Sequence, residues 1–549
     1  MIAEKIGRTL LNAYNEKYEK YYSAREFFEN EYFEYFYAHE KYMQWVINSP
    51  FVQGLEGFGE QYAFIKQVKG DNGKGISFDN TQKEKFLQLI ADFKKKYDDS
   101  LLGFKIKPNK EFVIYKESDI DKYFDLEKGK GIKEIKIAFK LNKNMVNKKL
   151  QDFIEKAESV KDPDASIAIG YPATEGATSG QVTTIQIPYS SDVIYLSWIG
   201  SGCAIGIEGG LSIYFDNKEV LLSIYEGWKI YREKYLNNNA YKKLSVNQID
   251  SWNGQWISFC LKYQNDKELD YNEFNPIEAD KNKNLRIKSQ SWLKVVFALA
   301  KKFENTKKIG YVFCFGKSNK TIGFIQFNFI QVNKPIQLYR KLFGEQEFLD
   351  NAKIIEEIYG NPKGFSKACE FGSIGIKALK PQDLEAYVYP DKNGDILYPN
   401  LEKPKERKPK KNESPEQFAE GIEKQNNDYI YKIINFQTHI SWIISMLNTT
   451  ETIWEKAGKY AKVLLDFEAG GKSISTSRGN KVEQILKQPF KGKFIEALIS
   501  LLEEGGVDAH IINELAEETD KLPKDNFAYF LTLIRFKYAY LTNISKQPK

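Results

Sequence analysis

Two groups of side chains in this 549-residue sequence could contact phosphate groups and the edges of nucleobases. Lysine and arginine neutralise phosphates, while asparagine, glutamine, serine and threonine hydrogen-bond to base edges or to the sugar-phosphate backbone. The first group lies on polar turns of the N-terminal part: Gln181, Thr183, Ser201, Lys317, Asn319 and Lys320. The second group lies close to one connection near the C-terminus: Lys472, Arg478, Lys481, Lys491 and Lys493. Both patterns also occur on ordinary solvated loops, so residue types alone leave the two interpretations open.

Patterns for nucleotide-phosphate loops fail on their spacing. Gly471-Lys472-Ser473 matches the end of a P-loop, but Asp466 stands where the first glycine is required. Gly200 and Gly202 begin a dinucleotide-binding pattern, but Ile205 occupies the position of its third glycine. We therefore predict no bound nucleotide cofactor.

Residues for metal or nucleophilic catalysis are also scattered. The three histidines, His39, His439 and His510, fall on distant predicted helices, and no HExxH or GxSxG pattern occurs. The sequence therefore predicts a protein that is not an enzyme, with no catalytic residue, no metal and no cofactor. A site built only from carboxylates stays open.

The composition is that of a globular protein, with 42% hydrophobic residues, 14% aromatic residues and a net charge of +6. Such a balanced charge means that any nucleic-acid surface must be local. No run of about 18 apolar residues predicts a membrane span. The cysteines Cys203, Cys260, Cys314 and Cys369 form no CxxC pair and predict free thiols. We expect a cytoplasmic protein without a membrane partner.

The first 400 residues predict a mixed region of helices and antiparallel strands. Residues 1–50 and 216–236 have helical patterns, whereas residues 105–215 are rich in short β-type runs. Those runs include "FKIKPNKEFVIYK", "IKEIKIAFKL", "ASIAIGY" and "DVIYLSWIG". Asn253-Gly254 predicts a hairpin turn. The region has no regular βαβ alternation, so the fold class expected for the whole chain is α+β.

A basic, proline-containing linker is predicted at residues 401–413, "LEKPKERKPKKNE". Ser414-Pro415-Glu416-Gln417 then predicts a helix start with a capping box. Residues 414–549 predict an all-α bundle, with helix ends at Gly470-Gly471 and Gly505-Gly506. Its expected core stripes include Ile430, Ile433, Ile434, Ile440, Ile444, Leu447, Phe494, Leu498, Leu501 and Leu502.

The stretch Tyr195–Phe215, "YLSWIGSGCAIGIEGGLSIYF", is dense in glycine. Its pattern predicts strand, glycine-rich turn and strand, rather than the strand-to-helix turn of a nucleotide site. Glycine allows a positive φ and close approach of another backbone. The approaching backbone could belong to this chain, to a protein partner or to nucleic acid.

Taken together, these features resemble the large subunit of a type I CRISPR Cascade effector complex, nearest to type I-B. The resemblance lies in the order of a mixed region, a basic linker and a helical bundle. It is carried by "SWIGSGCAIGIEGG", "TIGFIQFNFIQVNKPIQLYRKLFG" and "NFAYFLTLIRFKYAYL". It covers the chain in outline, without a motif that aligns position by position.

The resemblance implies a subunit that recognises the short flanking motif of double-stranded target DNA (the PAM) and helps to open the duplex. Pairing with the crRNA reads the remaining target. The implied partners are the crRNA, the backbone subunits, the subunit at the crRNA 5′ end, small helical subunits and a recruited helicase-nuclease. The region 1–400 would recognise the PAM and contact the 5′-end subunit, and the bundle 414–549 resembles a small subunit.

On this interpretation, the six N-terminal polar residues are candidates for the PAM region, and the five C-terminal cations for the displaced strand. The glycine-rich stretch is then expected near the flanking duplex or the 5′-end subunit. Three alternatives remain: a nucleic-acid-binding defence scaffold without a guide RNA, an enzyme with an unrecognised carboxylate site, and a module that binds only proteins.

Overall fold

The structure, a computed structural model, divides into two compact units. The first comprises Met1–Gln290 and Gly310–Thr321, and the second Ser291–Ile309 and Ile322–Lys549. Within them the structure describes residues 1–36, 62–69, 88, 91, 95, 101–106, 113–115, 134–140, 143–164, 167–172, 183–185, 189–241, 244, 249–261, 269–279, 281, 284–314, 320–346, 352–359, 364–388, 404–409, 413–447, 452–470 and 475–545.

Several of the described helices of the first unit bury clustered aromatic side chains. They are α1 (Ile2–Tyr18), α2 (Ala24–Phe27), α3 (Phe33–Phe36), α4 (Lys143–Ser159), α5 (Ser191–Ser201), α6 (Lys218–Ile230) and α7 (Ile249–Cys260). A π-helical turn, Phe28–Tyr32, joins α2 to α3, and another, Tyr231–Leu236, extends α6. Ser23 caps α2 through a capping box with Glu26. The helical prediction for residues 1–50 is thus confirmed for residues 2–18 and 24–36, with an interruption at residues 19–23, and residues 37–50 lie outside the described residues.

The described part of this unit contains three antiparallel β arrangements. Strands β1 (Tyr62–Lys69), β2 (Leu101–Ile106), β3 (Val113–Tyr115) and β4 (Glu134–Lys140) form one sheet in the order β1-β4-β2-β3. Strands β5 (Ile205–Ile207) and β6 (Leu211–Phe215) form a hairpin, and β6 also pairs with β9 (Lys307–Cys314) through Gly310–Phe313. A separate pair joins β7 (Ile277–Ala279) to β8 (Leu285–Ile287). The predicted strands at β2, β3 and β4 are confirmed.

The second unit begins with helices around a short parallel pair of strands. Its first elements are α8 (Trp292–Lys302), β10 (Lys320–Asn328, of which Ile322–Asn328 belongs here), α9 (Phe329–Phe343), α10 (Ala352–Tyr359), α11 (Phe365–Cys369), β11 (Ser373–Ile374) and α12 (Leu384–Val388). Gln326 and Phe327 of β10 pair with β11. The side chain of Asn328 accepts a hydrogen bond from the Gln331 amide and so caps α9.

The helical C-terminal part completes the same unit. It consists of α13 (Pro415–Met446), α14 (Thr452–Ala469), α15 (Ser475–Leu486), α16 (Lys491–Glu504), α17 (Ala509–Lys521) and α18 (Lys524–Ser545). The capping box of Ser414 and Gln417 is present as predicted. Helices α14 and α16 end at the predicted glycine pairs, and Gly505 takes a φ of +74°. The α+β, helix-rich fold class is therefore confirmed.

Several local predictions are wrong. Residues "DVIYLSWIG" form helix α5, and Asn253-Gly254 lies inside helix α7. Val193–Ser201 is buried on every side, so α5 has no polar face and its sequence lacks a helical period. Residues 167–170 of "ASIAIGY" form a turn.

Two predicted core positions of the bundle are exposed. Ile430 and Leu502 are each 42% accessible, although they follow the apolar spacing of their helices. The buried face of α13 begins at Ile434, and the preceding turns are largely solvated. Apolar spacing therefore continues beyond the part of α13 that the core covers.

Candidate nucleic-acid interface

Glycines of the glycine-rich stretch pack closely against other helices of the same chain. Helices α1 and α5 cross where Gly7 meets Gly200. A Cβ at Gly7 would lie 2.0 Å from the carbonyl oxygen of Leu196, and a Cβ at Gly200 would lie 1.8 Å from that of Ala3. The two backbones are therefore in direct contact, which only residues without a side chain permit.

A second close approach joins β5 to α7. A Cβ at Gly254 would lie 2.1 Å from the carbonyl oxygen of Gly206. The buried amide of Asn253 donates to the carbonyls of Gly202 and Ala204, at 2.7 and 2.8 Å, and its oxygen accepts a bond from Trp228 Nε1 at 3.1 Å. The end of α5 and the entry to the hairpin are thus held by one side chain.

Only Gly209 and Gly210, at the tip of the hairpin, have open space at the Cβ position and positive φ values of 88° and 74° among the glycines of this stretch. The tip is therefore the part of the stretch with room for an approaching molecule. Its predicted position near a flanking duplex stays a prediction.

The candidates for the PAM region have different environments. Ser201 is fully buried, and its hydroxyl donates to the carbonyl of Trp198 at 2.7 Å. The Thr183 hydroxyl accepts a bond from the Ile185 amide at 3.1 Å, and Lys320 opens strand β10. The remaining three lie outside the described residues: Gln181, Lys317 and Asn319. The structure thus places Ser201 in the core and leaves Thr183 at the surface.

Arg478, a candidate for the displaced strand, is held inside the bundle. Its side chain is 16% exposed, and its Nε lies 2.7 Å from a carboxylate oxygen of Glu504. Its Nη1 donates to the carbonyl of Phe467 at 3.3 Å, near the C-terminal end of α14, and the guanidinium stacks over the Phe467 ring at 4.5 Å. These contacts satisfy a carbonyl of the last helical turn, so Arg478 stabilises the packing of α14, α15 and α16.

Lys481 shares the same carboxylate. Its ammonium lies 2.5 Å from the second oxygen of Glu504, and the side chain is 38% exposed. Lys481 and Arg478 together lower the pKa of Glu504. The structure therefore brings Arg478 and Lys481 together, because both pair with the carboxylate of Glu504.

Lys491 and Lys493 lie at the start of α16. Lys491 is 3.2 Å from the carboxylate of Asp520 and also donates to main-chain carbonyls at the end of α17. Lys493 is 65% exposed and pairs with Glu496 at 2.9 Å, which raises the pKa of the lysine. Lys472 lies outside the described residues. Of the described candidates, Lys481 and Lys493 are the most accessible to a phosphate.

The described part of the predicted linker contacts helix α13. Residues 404–409 lie along the first turns of α13, where the Arg407 guanidinium donates to the carbonyl of Phe418 at 3.2 Å and pairs with Glu413 at 2.5 Å. Gln425 donates to the carbonyl of Lys405 at 3.3 Å. Sequence reasoning missed the polar side chains of α13 that face this segment. Their spacing in "EKQNNDYIYK", with residues four apart on one helical face, was the available signal.

Within the described residues, no group of three or more histidine, cysteine, aspartate or glutamate side chains is placed to hold a metal ion. None of the helices in the described part of the chain is long and apolar enough to span a membrane. Comparison with family models, with curated proteins and with solved structures gives no match.

Proposed function

We propose that this chain is the non-catalytic large subunit of a crRNA-guided DNA surveillance complex, as its resemblance to type I Cascade large subunits implies. In this role it recognises the PAM and stabilises the opened target DNA. A helicase-nuclease is recruited afterwards and cuts the DNA. The helix-rich α+β fold with a helical C-terminal part agrees with that organisation.

The observation that carries the proposal is the basic segment, defined as residues 472–493. It contains six lysine or arginine residues and one acidic residue, Glu483. Three of its lysines keep exposed surface in the folded bundle: Lys481, Lys487 and Lys493. A local cationic stretch on a nearly balanced chain is the expected footprint of a phosphate backbone.

The acidic partners of these lysines do not exclude that role. Exposed ion pairs contribute at most about 1 kcal/mol, because water screens them and both side chains lose freedom. A phosphate can therefore replace Glu496 beside Lys493 at little cost. Such contacts bind the strand without reading its bases, which suits a strand whose sequence is read elsewhere.

Purification of the native assembly tests the proposal. We expect the tagged chain to retain one uniform RNA with a repeat-derived end, together with repeated backbone subunits. Heterogeneous RNA would favour a guide-free nucleic-acid scaffold, and an assembly without nucleic acid would favour a module that binds only proteins. Either result would overturn the proposed function.

A further inference from the structure

A groove of about 550 Å³ lies between the linker segment and the N-terminal half of α13. Its volume falls within the range of about 300–1,000 Å³ that is typical of ligand sites. The lining residues are Pro404, Arg407, Gly421, Lys424, Gln425, Asp428, Tyr429 and Lys432.

One wall of the groove is fixed by Arg407. Its guanidinium is bound by the Phe418 carbonyl and by the carboxylate of Glu413, which is only 11% exposed. A Cβ at Gly421 would lie 1.9 Å from Arg407 Nη1, so the glycine makes room for the arginine against the helix. Arg407 is therefore a positioning residue whose charge is already compensated.

The opposite wall carries two exposed lysines, and Asp428, the one carboxylate among the lining residues, is four residues from each of them. Lys424 and Lys432 are exposed, and neither forms an ion pair within the described part of the chain. The described cations of the basic segment, in contrast, each have an acidic partner. Lys424 and Lys432 are eight residues apart, which is about 12 Å along the helix axis. The groove thus presents two separate positive charges to a ligand that extends along α13.

Three further side chains lie between these lysines: Gln425, Asp428 and Tyr429. A tyrosine ring can stack on any base, because every base has a π face. Glutamine and aspartate hydrogen-bond to base edges, and a carboxylate accepts from an exocyclic amino group. The groove therefore has a chemical partner for the phosphate and for the base of a nucleotide.

We propose that this groove binds single-stranded nucleic acid, with phosphates at Lys424 and Lys432 and a base against Tyr429. The inference rests on the nucleic-acid-binding part of the proposed function, but it places a contact outside the basic segment. The aromatic ring favours a nucleic acid over an acidic peptide, because a base can stack on Tyr429 and a carboxylate cannot.

Fluorescence anisotropy of the full chain with labelled single-stranded DNA and RNA of the same mixed sequence tests this inference. The double variant Lys424→Ala/Lys432→Ala is expected to weaken binding and to reduce the magnitude of the salt slope by about 1.4, since each phosphate contact contributes about 0.7. Lys462→Ala/Lys521→Ala removes two other exposed charges of the same unit and serves as the matched control.

Two variants separate stacking from charge. Tyr429→Ala is expected to lower the affinity by about 5- to 150-fold, whereas Tyr429→Phe keeps the ring and stays near wild type. A thermal melt of each variant verifies folding. Preference for the DNA or the RNA strand then identifies the source of the ligand.

Equal affinities and salt slopes for the groove variants and their control would overturn the inference, as would stronger competition by polyglutamate than by oligonucleotide. If the native assembly still carries a uniform guide RNA, that failure leaves the proposed function standing. If the groove variants weaken strand binding but the native assembly carries no guide RNA, the proposed function is overturned and the inference about the groove still stands.

Discussion

At Gly200, the absence of a single side-chain carbon allows two helices to pack with their backbones in contact. Gly200→Ala is expected to destabilise the first unit by about 1–3 kcal/mol, because the new Cβ would lie 1.8 Å from the Ala3 carbonyl oxygen and α1 must move away. Urea unfolding, followed by tryptophan fluorescence, measures the change.

Gly492→Ala provides the contrast. Nothing lies within 4 Å of a Cβ at this position, and Gly492 lies in the first turn of α16, so the substitution should stabilise the protein by less than the roughly 1 kcal/mol found in a helix interior. Equal effects of the two alanine substitutions would contradict the close crossing of α1 and α5.

His439 gives the second unit a pH dependence. The ring is fully buried, stacks on Tyr387 at 4.2 Å and has the carbonyls of Asn435 and Gln382 at 2.7 Å from its two nitrogens. Burial lowers the pKa of His439, while the two carbonyls and Asp383 act in the opposite direction.

Because the folded pKa lies below the unfolded value of about 6.5, the unfolded chain binds the proton first as the pH falls. The free energy of unfolding should therefore be highest above pH 6.5 and should decrease below it, by at most about 1.4 kcal/mol per pH unit from this group. Thermal melts of wild type and His439→Gln between pH 8 and 5 measure this contribution, and the variant should lose it.

His510→Gln is the matched control, because His510 is exposed on α17. A wild-type stability that rises on acidification, relative to His439→Gln, would contradict the expected sign. It would mean that the two carbonyls hold a charged imidazolium.

At the scale of elements, the cations of α15 and α16 are of two kinds. Arg478 is held by contacts inside the bundle, whereas Lys481 and Lys493 keep exposed surface. Arg478→Ala should lower the melting temperature of the bundle more than Lys481→Ala does, because Arg478 also binds the Phe467 carbonyl and stacks on its ring. Differential scanning calorimetry of the two variants makes the comparison. A larger loss for Lys481→Ala would show that the shared pair with Glu504 outweighs the contacts with α14.

The accessible lysines are the appropriate probe of DNA binding. Lys481→Ala/Lys493→Ala should weaken binding of single-stranded DNA and reduce the magnitude of its salt slope by about 1.4. Electrophoretic mobility shifts at a series of salt concentrations measure both quantities. Lys456→Ala/Lys459→Ala removes two paired lysines from α14 as the control, and a decrease of the same size in that control would contradict a specific role for the basic segment.

Element types were predictable where local chemistry decides them. The Ser414 cap, the helix end at Gly505-Gly506 and the alternating strands β2 to β4 follow from a side-chain hydrogen bond, positive φ values and the two-residue period of a strand. Helix α5 was not predictable from periodicity, because its buried surroundings remove the polar face. The role of Arg478 was hidden as well, since its partner Glu504 is distant in sequence.

At the scale of the whole molecule, hydrogen bonds within the second unit join residues before the predicted boundary near residue 400 to residues after it. Trp442 Nε1 donates to the carbonyl of Ile376 at 2.9 Å, and Tyr339 donates to Gln437 at 2.7 Å. Thr532 donates to the carbonyl of Tyr387 at 3.1 Å. Helix α13 is therefore anchored to residues that precede the bundle, and the domain boundary itself stays a prediction.

A fragment of residues 414–549 should consequently fold less well than a fragment of residues 291–549, which contains the whole second unit. The shorter chain lacks one partner of each of these three hydrogen bonds. It also exposes the apolar face of α13 that begins at Ile434. Stronger binding of a hydrophobic dye and weaker near-ultraviolet circular dichroism are expected for it. Equally sharp melting of both fragments would instead show an autonomous bundle.

The crossing of α1 and α5 also constrains how this chain can diverge. Gly7 and Gly200 touch across 193 positions of sequence, and a side chain at either one would push the other helix outward. Substitutions at the two positions should therefore be coupled in any descendant of this protein, together with compensating changes along both helices. A pair of glycines in this register, rather than overall identity, is the trace by which distant relatives could be found.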